Sequence, residues 1–212
     1  MLIRQGKVVL NLTDPDKVLA VIPTARTIQY KGETLVVVPH HMDETKVLFN
    51  MGIDVPSPVG FYYNWPGRFK PYPHQIATTE FLAKHPRAYC LNDMGTMKTL
   101  SGLWAYDYLR SVGKAKRLIV ASPLSTLERA WGDEIFRNFP HLTFSVLHGS
   151  RDRRFKLLEQ EVDIYIINHD GVKILADAIL ARDDIDIGII DEISQARSEE
   201  HTSELQSHSD LV

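Results

Sequence analysis

From Arg87 onward, short apolar runs alternate with amphipathic ones, and this alternation limits the fold more than any other feature. "RAYCL", "RLIVA", "TFSVL", "VDIYII" and "IDIGII" have the length and branched, aromatic content of buried strands. Between them lie helical patterns over Lys98–Ser111, about Ser125–Asn138, Arg151–Gln160 and "GVKILADAILA". The second carries Leu127, Ala130, Trp131, Ile135 and Phe136 at helical spacing. Strands alternating with helices indicate βαβ units, an α/β class in which helices cover both faces of a parallel sheet. The expected core includes Trp104 and Trp131.

The first 66 residues differ in texture. "VLAVIPT" and "TIQYKGETLVVVP" are strand-like around a Lys31-Gly32 turn, and "MDETKVLFNMG" is a short helix ended by Gly52. The following "DVPSPVGFYYNWPGRFKPYP" reads as a linker, so a small α+β domain is expected over 1–66 and a second domain over 67–196. His40 and His41 have no Cys or acidic pair at ligand spacing and are not read as a metal site. The single cysteine, Cys90, reads as a buried thiol and fits a cytoplasmic setting. No apolar run approaches the roughly 20 residues that a membrane span needs, and the N-terminus lacks the pattern of a signal peptide.

The formal charge of −3 resides in Arg197–Val212, leaving the preceding residues neutral and without an electrostatic argument about nucleic acid. Arg197–Ser207 matches the translation of a common short-read sequencing adapter through eleven consecutive residues. Residues 197–212 are therefore expected to be an artefactual tail on a gene interrupted near Ala196, and His201, Ser203 and His208 carry no function.

The chemistry begins at "NDMGTMKT". A strand feeding a glycine-containing loop that opens a helix aims backbone N–H groups and the helix dipole at one point, an anion site suited to phosphate. The loop resembles GxxxxGK[ST] but has Asn92 and Met97 where glycines are expected. Gly95, Thr96, Met97, Lys98 and Thr99 would bind nucleotide, Lys98 reaching the β- and γ-phosphates and the Thr99 hydroxyl holding Mg²⁺. A left-handed backbone at Met97 would cost about 1–2 kcal/mol. About ninety residues later, Asp191-Glu192 ends an isoleucine-rich strand. ATP hydrolysis needs one carboxylate at Mg²⁺ and another to deprotonate water, and a parallel sheet brings such strand ends together at one edge.

Taken in order, these segments resemble the first RecA-like lobe of a superfamily 2 helicase, nearest to Swi/Snf-like DNA translocases and their bacteriophage relatives, over roughly Phe69 to Ala196. The resemblance implies that Gln75 of "PYPHQ" reads adenine. It implies that Ser122, Pro123, Leu124 and Ser125 face a nucleic-acid backbone, with Asn168 near the track. It further implies ATP and Mg²⁺ as ligands, double-stranded DNA as partner, a second RecA-like lobe contributing an arginine, and a cytoplasmic location, in a bacterial host if phage-encoded. Ser194 stands where such motifs often have histidine. Without the second lobe, the chain as given is expected to bind ATP·Mg²⁺ weakly and not to hydrolyse it at a motor's rate.

Plainer readings stand beside these. Gln75 is also consistent with a surface residue, and Ser125 with a helix cap. Arg151, Arg153, Arg154 and Lys156 read as a solvated helix face rather than a phosphate contact. A non-catalytic nucleic-acid-binding module with a decayed nucleotide site and a P-loop phosphotransferase are the alternative functions.

Overall fold

The computed structural model describes residues 1–93 and 95–192, which divide into two compact units. The first comprises Met1–Asn64 with Glu80–Ala88, and the second comprises Trp65–Thr79 with the chain from Tyr89 onward.

In the first unit, β1 (Leu2–Arg4), β2 (Lys7–Leu10), β3 (Arg26–Tyr30) and β4 (Glu33–Pro39) form an antiparallel sheet in the order β1-β2-β4-β3. Both two-residue hairpin loops have left-handed backbone throughout, Gln5-Gly6 (φ 50° and 68°) and Lys31-Gly32 (φ 51° and 83°). That handedness matches the twist of the flanking strands. Val8 and Leu10 lie opposite Val38 and Val36, so one sheet face supplies the core. It is covered by α1 (Pro15–Val21) and α2 (Met42–Asn50) through Val18 and Leu48.

Two expectations fail in this unit. "VLAVI" is helical: Asp14-Pro15-Asp16 supplies a helix start with proline in the first turn. Val18 and Ile22, four residues apart, both enter the core. The supposed linker holds a short helix, α3 (Pro58–Tyr62), capped by the Ser57 hydroxyl accepting from the Val59 N–H at 3.3 Å. Buried His40 contacts the Tyr62 hydroxyl at 2.9 Å and the Pro56 carbonyl at 2.8 Å, so both ring nitrogens have partners.

In the second unit, β5 (Arg117–Ser122), β6 (Phe144–Val146), β7 (Ile164–Asn168) and β8 (Ile185–Ile190) form a parallel sheet in the order β6-β7-β5-β8. The helices are α5 (Lys98–Ser111), α6 (Asp133–Asn138), α7 (Arg151–Leu158) and α8 (His169–Leu180). The helix α4 (Pro73–Lys84) contributes its first half to this unit. Ala121, Tyr165 and Ile167 pack with Leu158 of α7 and Leu175 of α8. Alternation places Leu118, Val120, Ile164 and Ile166 on the opposite face. None of the described helices is long and apolar enough to cross a membrane.

"RAYCL" forms no strand. Tyr89 and Leu91 are 77% and 89% exposed, and Cys90 is half-buried rather than enclosed. A strand needs a neighbour for its backbone N–H and C=O groups, and among the described residues this segment pairs with none. The helix expected from Ser125 starts later, as a π-helical stretch over Leu127–Gly132 that continues into α6. Its N-cap residue is Thr126, so Ser125 does not cap it, and Phe136 lies on the exposed side. Trp104 and Trp131 are core residues, as expected.

Candidate functional site

Helix α5 sets the geometry. Near its C-terminus, the Tyr106 hydroxyl reaches the carbonyls of Lys116 at 3.0 Å and Asp163 at 2.9 Å, immediately before β5 and β7 begin. Arg110 adds an ion pair to Asp163 at 2.7 Å. Burial, reinforced by the Asp163 charge, raises the Tyr106 phenol above its ordinary value, so it remains a neutral donor. One end of α5 is thereby pinned at the start of the strands, and the helix runs antiparallel to them.

Toward its N-terminus, α5 meets the strand that carries the acidic pair. A Cβ on Gly102 would come within 3.2 Å of Ile189 Cδ1 and 3.9 Å of the Trp131 ring. From this contact Lys98 lies one helical turn back, about 6 Å at 1.5 Å per residue. Asp191 lies two residues forward on the same sheet face, about 6.6 Å at 3.3 Å per residue. Both steps run toward the C-terminal edge of the sheet, so Lys98 and Asp191 share that edge. The N–H of Asp191 donates to Ala121 O at 2.8 Å, extending the β5–β8 ladder and fixing the strand end.

The loop leading into α5 is strained where its sequence departs from the glycine pattern. Met97, the N-cap residue, is left-handed with φ 56° and ψ 45°, and Gly95 has φ 78°. Nothing lies within 4 Å of a Cβ on Gly95, so backbone conformation rather than space calls for glycine there. Lys98 folds over the loop, its Nζ donating to Asn92 O at 2.8 Å and Asp93 O at 3.0 Å. The Thr96 hydroxyl donates to Asp93 O at 2.8 Å. Thr99 is half-buried in the first turn of α5. Asn92, the other departure, is a tether: its Nδ2 donates to Thr78 Oγ1 at 2.8 Å and joins the loop to α4.

That part of α4 also carries Gln75. Its Oε1 accepts the Tyr72 N–H at 2.8 Å, while its Nε2 is buried without a partner among the described residues. At 2% exposure Gln75 is not the surface residue of the plainer reading. An orphaned buried donor costs about 1–3 kcal/mol, which a ligand acceptor would relieve.

Of the Ser-Pro-Leu-Ser segment, only Leu124 and Ser125 are exposed; Ser122 and Pro123 are buried. The Ser122 hydroxyl lies 2.6 Å from Thr126 Oγ1 and 3.4 Å from Asp191 Oδ2. Arg154 is not on a solvated face. It is buried, donating to Gly149 O at 2.9 Å, Leu147 O at 3.1 Å and Asn168 Oδ1 at 2.8 Å, and so it orients Asn168. The neighbouring Arg151, Arg153 and Lys156 are exposed.

Glu192 has φ 54°. Left-handed backbone at a non-glycine residue costs of order 1–3 kcal/mol and concentrates at functional sites. Met97 and Glu192 are two of the five such residues among those described. Ser194 and residues 197–212 lie outside the described residues.

At the opposite end of the strands is a polar cleft of about 430 Å³, with Arg110, Lys116, Arg117, Glu161 and Asp163 in its wall. Its arginines are already committed, Arg110 to Asp163 and Arg117 to Asp184. Hydrogen bonding there outweighs desolvation: burial alone would raise the Asp163 pKa, but the Thr143 N–H, the Thr143 hydroxyl and the Arg110 charge lower it.

No protein-family model matches this chain, and no curated protein matches it. Among solved structures, the chain is similar to the Sulfolobus solfataricus SWI2/SNF2 ATPase core in complex with double-stranded DNA, at 25% identity and a TM-score of 0.52. That match covers 60% of this chain and 27% of the other. The SWI2/SNF2 ATPase core domain from the same organism matches at 26% identity and a TM-score of 0.47, covering 60% of this chain and 26% of that one. The chain thus spans about a quarter of the length of the structures it resembles. Its second unit has an α/β fold matching a RecA-like lobe, and its first unit is a small domain built on an antiparallel sheet.

Proposed function

We propose that this chain is the ATP-binding lobe of an ATP-dependent DNA helicase or translocase of the Swi/Snf-like group, which couples hydrolysis to movement on double-stranded DNA. The observation that carries the reading is the shared sheet edge of Lys98 and Asp191, with the left-handed Met97 turn opening α5. Similarity to an ATPase core bound to double-stranded DNA supports the choice of substrate and partner.

The residues present fit a nucleotide with a divalent cation. Asp191 Oδ2 is held by protein donors, while among the described residues no donor reaches Oδ1. In this reading Oδ1 and the Thr99 hydroxyl hold Mg²⁺. The cation would neutralise charge developing on the phosphates. Lys98 exchanges the Asn92 and Asp93 carbonyls for β- and γ-phosphate oxygens, a change from neutral to charged acceptors that favours binding. Glu192 takes the proton of the attacking water. Gln75 Nε2 donates to a ring nitrogen of adenine, ending its isolation. In this reading the exposed Leu124 and Ser125 face the DNA backbone, and Asn168, paired in register with Ser122 and held by Arg154, is near the track.

A second reading, a nucleic-acid-binding module that no longer hydrolyses ATP, is favoured by the strain at Met97 and by Lys98 closing its own loop. ATP binding in the presence of Mg²⁺, followed by turnover with and without duplex DNA, tests both. DNA-stimulated turnover is expected of a protein that also carries a second RecA-like lobe. DNA binding without any affinity for ATP would favour the module, and absence of both would overturn the proposal. The adapter reading of residues 197–212 is checked by resequencing the gene beyond the codon for Ala196.

A further inference from the structure

Oδ2 of Asp191 accepts from the indole Nε1–H of Trp131 at 3.1 Å and lies 3.4 Å from the Ser122 hydroxyl. Trp131 is one of the largest fully enclosed side chains and reads at first as packing alone. Its ring lies against Gly102, one turn into α5, while its N–H meets the carboxylate at the end of β8. One side chain therefore touches the helix that starts at Lys98 and the strand that ends at Asp191. It sits on the π-helical stretch Leu127–Gly132, a geometry frequent at functional sites.

Resting on the nucleotide reading above, we propose that Trp131 is a positioning residue for the metal-binding carboxylate, fixing Oδ2 of Asp191 so that Oδ1 turns toward the cation, and that the Ser122–Thr126 hydroxyl pair ties this carboxylate to the exposed Leu124-Ser125 loop.

The tie follows from counting hydroxyl protons. Thr126 Oγ1 donates to Pro123 O at 2.9 Å, so the Ser122 proton is shared between Thr126 at 2.6 Å and Asp191 at 3.4 Å. If Thr126 turns its proton to Ser122, the Ser122 proton is released to Asp191, while Pro123 O keeps the Thr126 backbone N–H at 3.0 Å. A contact that moves the Pro123–Thr126 turn therefore changes how many hydrogen bonds Asp191 Oδ2 receives. The indole bond, which does not depend on that choice, keeps the carboxylate from rotating in either arrangement.

The test uses Trp131→Phe, which keeps a smaller aromatic ring in the core and removes the donor. ATP binding is titrated against Mg²⁺, and the indole N–H resonances of ¹⁵N-labelled protein are followed with and without Mg²⁺·ADP. The variant is expected to raise the Mg²⁺ concentration for half-maximal nucleotide binding about tenfold, the order of one hydrogen bond to a charged group. Binding of ATP without Mg²⁺ should be unchanged. In the wild type, the one indole resonance that Trp131→Phe eliminates should shift on adding Mg²⁺·ADP. An unaltered Mg²⁺ dependence alongside intact nucleotide binding would overturn the role of Trp131 and leave the nucleotide site standing. If wild-type protein binds no nucleotide, the site assignment falls and this inference with it. Should the variant fail to fold, the wild-type resonances decide, those of Trp65 and Trp104 being assigned from their own Phe variants: a Trp131 signal unmoved at saturating Mg²⁺·ADP overturns the proposal.

Discussion

The ammonium of Lys98 donates to the backbone carbonyl of Asn92 at 2.8 Å, so the lysine suited to clamp phosphates closes its own loop. Lys98→Ala removes both the phosphate clamp and this internal closure. ATP affinity should fall about ten- to a hundredfold, the range for losing a hydrogen bond to a charged group. In a protein that also carries the second RecA-like lobe, turnover should be abolished. Isothermal titration and a phosphate-release assay check this, and near wild-type turnover would remove Lys98 from the site.

Met97 supplies a side chain where the backbone is left-handed, at φ 56°. Met97→Gly should stabilise the protein by about 0.5–1 kcal/mol, because relief of left-handed strain exceeds the extra entropy of an unfolded glycine. Met97→Val should destabilise it by more than 1 kcal/mol, since a branched Cβ tolerates this conformation least. Denaturant titration of both variants measures the difference, and equal stabilities would mean that the turn is relaxed in solution.

Glu192 follows Asp191 on the left-handed side of the backbone map, with φ 54°. Glu192→Gln can orient a water molecule but cannot accept its proton. The variant should retain ATP·Mg²⁺ affinity within about threefold and, in a protein that also carries the second RecA-like lobe, lose two or more orders of magnitude in turnover, in line with the contribution of a general base. Filter binding and steady-state kinetics separate the two effects. Loss of binding together with turnover would assign the metal role to Glu192 instead of Asp191.

At the far end of the strands, Asp163 accepts from the Thr143 N–H and hydroxyl, both at 2.8 Å, and from Arg110 at 2.7 Å. Its carboxyl is held below the ordinary value of 3.8, so it binds fewer protons folded than unfolded. Its stabilisation is therefore complete above the unfolded pKa and fades as pH falls through the lower, folded one. Asp163→Asn should cost about 2 kcal/mol near pH 7, by loss of hydrogen bonds to a charged acceptor, and the gap should narrow below about pH 4. Chemical denaturation at pH 7 and pH 3 tests both the size and the sign.

Much of the second unit was legible in the sequence. A helix starting at Lys98 and an isoleucine strand ending just before Asp191 are local patterns, set by side-chain periodicity and by residues beside one another in the chain. In the first unit, local reading failed at "VLAVI", where the proline start of α1 outweighs apolar content.

What only the tertiary structure decided are relationships across the chain. "RAYCL" has strand composition, but a strand exists only with a partner edge, and none of the described strands offers it one. Arg154 carries the same charge as exposed Arg151 and Arg153, yet carbonyls of Leu147 and Gly149 and the side chain of Asn168 draw it inside. Trp131 was legible as a core residue but not as the donor to a carboxylate 60 positions away. Periodicity reports which face of an element is buried. It does not report which polar atom waits there, because that atom arrives from another part of the chain when the fold closes.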